Sequence, residues 1–153
     1  MRRKLFLSFL VVAIGVSLFG SAVAGEVLLG VRVSWGYTPY LDRTAVTSEL
    51  VVRIRLSVVL VEASFRASGA TSLFETAILS TMPPFHIGAG IVCPVRLPPA
   101  GHRSLWMTRK IGVDVSASDS LLLLLQAETG APLGAPEYHN VSMKLGLGTR
   151  LWK

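Results

Sequence analysis

His102, Ser104 and Asp114 come nearest to a chemical constellation in this chain. In His102-Arg103-Ser104 the first and third residues share a face if the segment is a strand. An imidazole could then reach a hydroxyl and take its proton, with Asp114 further on as a third member. A two-residue match is common by chance, however. His102 also follows a loop carrying Pro98, Pro99 and Gly101, where a solvated histidine is the ordinary reading. There is no Gly-x-Ser-x-Gly elbow, no His-Glu-x-x-His and no phosphate loop. His86, His102 and His139 sit on separate segments, and no spacing argues that they converge on a metal. Gly88, Gly90, Gly146 and Gly148 lie within strand-like runs and read as close-approach glycines. The single cysteine, Cys93, excludes an intrachain disulfide and a Cys-rich metal site. It lies on an apolar parity and reads as a small hydrophobe. The sequence assigns no catalytic residue, no metal ligand and no cofactor, and the expectation is a protein that is not an enzyme.

A second polar set is defined by pattern. Arg32, Arg53, Arg55, Lys110, Asp114, Lys144 and Arg150 each fall on the polar side of a segment whose other side is apolar. The last segment, 138–152, shows the design. Val141, Met143, Leu145, Leu147 and Leu151 share one parity, and Asn140, Ser142, Lys144, Gly146, Gly148 and Arg150 the other. A strand sends alternate side chains to opposite faces. A helix would smear Lys144 and Arg150 among the leucines.

The same alternation recurs upstream. In 26–38, Val27, Leu29, Val31, Val33, Trp35 and Tyr37 oppose Gly30, Arg32, Ser34 and Gly36, with Leu28 as an exception. A loop follows at 39–47. Residues 48–60 alternate again, and from Val61 the phase slips, so that Ala63, Phe65 and Ala67 oppose Glu62, Ser64 and Arg66. A slip without Gly or Pro implies a β-bulge or a hidden turn. Residues 68–82 are open between a strand and a short helix at 72–81, since Ser72 and Glu75 fit a capping box. Residues 85–97 are a strand, with Pro94 suited to a strand end, a bulge or an edge. Residues 103–117 are another, although Arg109 breaks its apolar face and Trp106 its polar one. The leucine run at 121–129 cannot be assigned by period alone, and its place between two strands favours a strand.

The first 24 residues have the layout of a secretory leader. Arg2, Arg3 and Lys4 precede an uncharged apolar core from Leu5 to Gly20, and Ala22-Val23-Ala24 supplies a small-x-small cleavage site. The expected mature domain is 25–153. Without the leader's three cations, twelve basic residues face nine acidic ones, a net charge of +3. No Lys/Arg cluster interleaves with aromatics, so nothing argues for nucleic-acid binding.

An apolar face opposite a face of Gly, Ser and charge suits two architectures. In a membrane barrel the apolar face meets lipid and the polar face lines the lumen. In an antiparallel β-sandwich the apolar faces pack together. The strand lengths match the roughly 9–11 residues that cross a bilayer, and the glycines gather on the polar side, where a narrow lumen needs room. On that pattern, and on a closing amphipathic segment ending near Trp152, the chain resembles the small bacterial outer-membrane β-barrel proteins of the eight-stranded kind. It departs from them in placing Lys153 after the final aromatic, in having few aromatics, and in giving six or seven strands without forcing. Eight become possible if 48–67 hide a turn.

The resemblance implies an all-β antiparallel barrel and an outer-membrane lipid bilayer as partner, with no protein partner identified. It implies an exported, non-enzymatic protein with a structural, anchoring or surface-interaction role; the alternative is a soluble periplasmic or extracellular sandwich. The seven polar residues would face the lumen; their Arg and Lys would pair with Glu49, Asp114 or Glu128 or stay hydrated, and the surplus of base would bias any leak toward anions. The His102-x-Ser104 spacing is similar to that of the outer-membrane lipid A deacylases, but the likeness stops at two residues.

Overall fold

The computed structural model describes residues 25–38, 43–68, 71–96, 105–133 and 140–152. The leader-like segment, the His102-x-Ser104 pair and His139 lie outside them. Eight strands run β1 (Glu26–Thr38), β2 (Arg43–Leu56), β3 (Val59–Ser68), β4 (Thr71–Met82), β5 (Phe85–Arg96), β6 (Trp106–Ser116), β7 (Leu121–Pro132) and β8 (Asn140–Trp152). Each pairs antiparallel with the next, and β8 closes on β1, so the sheet is one barrel with no free edge. The sandwich alternative is overturned: there is a single layer, and the apolar side chains point away from the interior instead of packing on a second sheet.

The hidden turn lies at Ser57–Val58. Ser57 takes a left-handed φ of 56°, a conformation the first central residue of a tight hairpin needs and glycine usually supplies. The turn resets the alternation, which is why the apolar parity of 48–56 does not continue past Val61. It brings Arg53 opposite Glu62 and Glu49 opposite Arg66. The short helix does not form. Residues 71–82 pair along their length with β3 and β5, and the cross-strand ladders override the local capping-box signal. Pro94, which has no N–H to give, sits where the β4–β5 register skips a residue: Leu73 faces Pro94 while Ser72 faces Arg96. Trp106 turns inward and is buried, and Arg109 turns outward and is exposed.

The turns at 57–58, 83–84 and 117–120 share one end of the barrel with Glu26 and Trp152, and they mark its short-turn end. The strand ends Thr38, Arg43, Ser68, Thr71, Arg96, Trp106, Pro132 and Asn140 form the opposite end. Outside, the surface is apolar on every strand. Val31 is 61% exposed, Val46 68%, Ile78 66%, Ile87 59%, Ile111 55% and Leu147 50%. Inside, the side chains are charged or hydroxylic, with small apolar clusters toward the two ends.

Candidate functional site

The barrel interior gathers the polar residues into one ionic layer. Glu62 on β3 is its hub. Arg32 Nη2 donates to one Glu62 oxygen at 2.9 Å and Arg32 Nη1 to the other at 3.0 Å. Arg53 Nε donates to Glu62 Oε2 at 2.6 Å and Lys110 Nζ to Oε1 at 2.8 Å. Four donors on one carboxylate fill its lone-pair sites, and hydrogen bonds between ionised groups are the strong kind. Arg32 also donates from Nε to Glu49 at 3.1 Å and from Nη1 to the amide oxygen of Gln126.

A second knot lies beside the first. Lys144 Nζ stands 2.5 Å from Glu128 and 3.2 Å from Glu49. Lys110 Nζ stands 2.9 Å from Glu75. Arg66 Nη2 lies 3.5 to 3.8 Å from Glu128, Glu49 and Glu75. Hydroxyls complete the shell, with Ser64 Oγ donating to Glu49 and Thr108 Oγ1 to Glu75, both at 2.6 Å. All these ionic side chains are buried. An isolated buried charge is costly, and pairing with further hydrogen bonds offsets much of that cost.

The strand pattern explains why they meet. Inward positions of eight antiparallel strands converge on one axis, and glycines make the space. A Cβ on Gly146 would sit 2.5 Å from Arg32 Cγ and 2.3 Å from the Val31 carbonyl oxygen; the arginine stem lies across the bare backbone. His86 lies across Gly112 in the same way, its Nε2 2.3 Å from where a Cβ would be.

The seven residues singled out by pattern divide in two. Arg32, Arg53, Lys110, Asp114 and Lys144 belong to the central layer, with Asp114 held by Arg53 Nη1 at 2.7 Å. Asp114 is therefore engaged by an arginine, and His86 Nδ1 lies 3.8 Å from it. Arg55 and Arg150 sit at the short-turn end and share Glu26; Arg55 Nη1 reaches Glu26 Oε2 at 3.2 Å. Arg150 also holds the β6–β7 turn, donating to the Asp119 carbonyl at 2.8 Å and to Ser116 Oγ at 3.0 Å.

The residues that complete the layer are Glu62, Arg66, Glu75 and Gln126. Glu62 and Arg66 were visible as polar residues on the slipped parity, and Glu75 was masked by the capping-box reading. They also change the charge balance. In the central layer Arg32, Arg53, Arg66, Lys110 and Lys144 face Glu49, Glu62, Glu75, Asp114 and Glu128, five against five. The expected surplus of inward base is absent from this layer.

Apolar groups close the layer above and below. Leu73, Val92 and Trp106 cluster toward the end away from the short turns. Leu28, Val51, Leu122 and Leu124 cluster toward the short-turn end, and so do Leu60, Ala77 and Leu79. The gap bounded by Glu26, Leu28, Arg53 and Leu122 measures about 10 Å³, room for about one water.

No protein-family model matches the chain, and no curated protein matches it. Solved structures do. A de novo designed transmembrane β-barrel superposes with a TM-score of 0.58 at 13% identity, covering 84% of this chain and 97% of the design. Neisserial surface protein A gives 0.50 at 13% identity, covering 82% and 94%. The attachment invasion locus protein Ail of Yersinia pestis, solved with the heparin analogue sucrose octasulfate, gives 0.46 at 12% identity, covering 82% and 97%. The first two, with the closed eight-strand sheet, show that the chain has the fold of the small eight-stranded outer-membrane barrels.

Proposed function

We propose that the protein is exported by its leader and inserted in an outer membrane, where it serves a structural, anchoring or surface-interaction role without catalysing a reaction. One observation carries this reading: the barrel is apolar outside and ionic inside. A water-soluble protein rarely exposes contiguous apolar patches beyond a few hundred Å². Here exposed Val, Ile, Leu, Met and Phe side chains encircle the barrel. Lipid is the solvent that such a surface fits, and a closed barrel satisfies every backbone group there. The shared fold with a surface protein of Neisseria supports the same reading. The interior favours a non-enzymatic role, because its carboxylates and cations are occupied with one another.

The test is an envelope fraction washed with carbonate and run on a gel with and without boiling. The protein is expected to stay with the membrane and to migrate faster unboiled, as a folded barrel. Release into the wash with no heat-dependent shift would refute membrane insertion. Sequencing the mature N-terminus is expected to start at Gly25.

A further inference from the structure

Arg109 is out of place on the outer surface. Among the described residues it is the one charged side chain within the outward face; the other outward-turned charge, Arg96, is the last residue of β5 at the rim. Arg109 is exposed, and among the described residues no carboxylate lies within ion-pair distance of it. Met107 and Ile111, its neighbours on the same face of β6, are 52% and 55% exposed. A charge facing lipid is costly at mid-depth and nearly free near the interface, so its depth matters.

Arg109 is the fourth residue of β6, counted from the end away from the short turns. At ~3.3 Å per residue and a tilt of ~40° it lies roughly 8 Å below the first residue of the strand. Apolar Leu105 and Met107 stand above it. An arginine at that depth can lay its stem along the wall and raise its head toward the headgroups.

The wall beside it is shaped to let that happen. Its direct cross-strand partners are Ala89 on β5 and Thr129 on β7. With Ala131 and Met107 they border an open notch of about 300 Å³. Small side chains on both flanks leave the guanidinium uncovered, and Thr129 puts a hydroxyl on the same outward face. A planar five-donor cation beside a hydroxyl suits a phosphate oxygen, which arginine can grip through two parallel hydrogen bonds. From this placement we infer that Arg109 and Thr129 form a docking site for the phosphate headgroup of an anionic lipid, in the leaflet away from the short turns. The inference rests on the membrane reading above.

The experiment uses the full barrel, refolded in micelles doped with equal amounts of phosphatidylglycerol and phosphatidylcholine. Native mass spectrometry counts the retained lipids. The wild type is expected to retain phosphatidylglycerol preferentially. Arg109→Leu should cut that preference about fivefold, which is about 1 kcal/mol at 1.4 kcal/mol per tenfold. Arg109→Lys should keep part of it, and Arg96→Gln most of it. An unchanged preference in Arg109→Leu would overturn the site, and so would an equal loss in Arg96→Gln, which would make the effect one of rim charge. Heat-dependent mobility is read on every sample first. Failure of the wild type to form a heat-modifiable barrel would sink the membrane reading and this site with it, whereas a well-folded wild type with no lipid preference would sink the site alone.

Discussion

Glu62 shows how much one residue can carry. It takes donors from Arg32, Arg53 and Lys110, and its side chain is 1% exposed. Replacing it by glutamine keeps the shape but leaves three cations short of a counter-charge in a closed lumen. Removing one partner of a buried pair costs about 3–5 kcal/mol, because the other charge stays behind. Glu62→Gln should therefore lower unfolding stability by about that amount, measured by urea titration in lipid vesicles. Glu26→Gln, at the short-turn end where solvent reaches the pair (the Glu26 side chain is 15% and that of Arg55 27% exposed), should cost less, about 1 kcal/mol. If the two variants lost the same stability, the central layer would not be the stabilising unit. The polar parity of Arg32, Lys110 and Lys144 was legible because the alternation of each segment survives its exceptions at Leu28, Trp106 and Arg109. Of their partners, Glu62 was legible only as a polar residue on the slipped parity, and Glu75 was hidden by the capping-box reading. Which carboxylate meets which cation depends on the stagger of eight strands, and no single segment encodes it.

At the level of the strands, Ser57 explains the largest gap in what the chain revealed. The 48–67 stretch reads as one long element because its turn holds neither Gly nor Pro, and only a parity slip betrays it. The structure shows the turn made by a serine at φ 56°. A left-handed conformation costs a non-glycine residue about 1–2 kcal/mol, while glycine brings a larger entropy loss on folding. Ser57→Gly should thus stabilise the β2–β3 hairpin by about 1 kcal/mol and raise the urea midpoint. A lower midpoint would mean that the Ser57 side chain contributes more than its backbone conformation costs. The β4 segment teaches the complementary lesson. Ser72 and Glu75 have helix-start chemistry, yet Leu73, Glu75, Ala77, Leu79 and Thr81 also alternate as an inward row. Two flanking strands settle the choice, since an unpaired gap between β3 and β5 would expose two edges in a structure that otherwise has none.

On the scale of the whole molecule, the order of layers along the axis decides transport. An ionic layer alone could pass water or ions if its side chains parted. Here it lies between apolar clusters, with Leu73, Val92 and Trp106 on one side and Leu28, Val51, Leu122 and Leu124 on the other. An ion crossing the barrel would have to shed water against leucine and tryptophan and then displace a paired charge. Eight strands leave an interior that side chains can fill, and the balance of five cations with five carboxylates gives no preferred sign of ion. Single-channel recording in planar bilayers should accordingly show no steady conductance from the wild type. Thinning the plug by Trp106→Ala together with Leu124→Ala leaves the ionic layer in place, so brief openings without strong selectivity are the expected change. Sustained anion-selective current from the wild type would show that the lumen holds an open path and an excess of base that the paired layer does not contain.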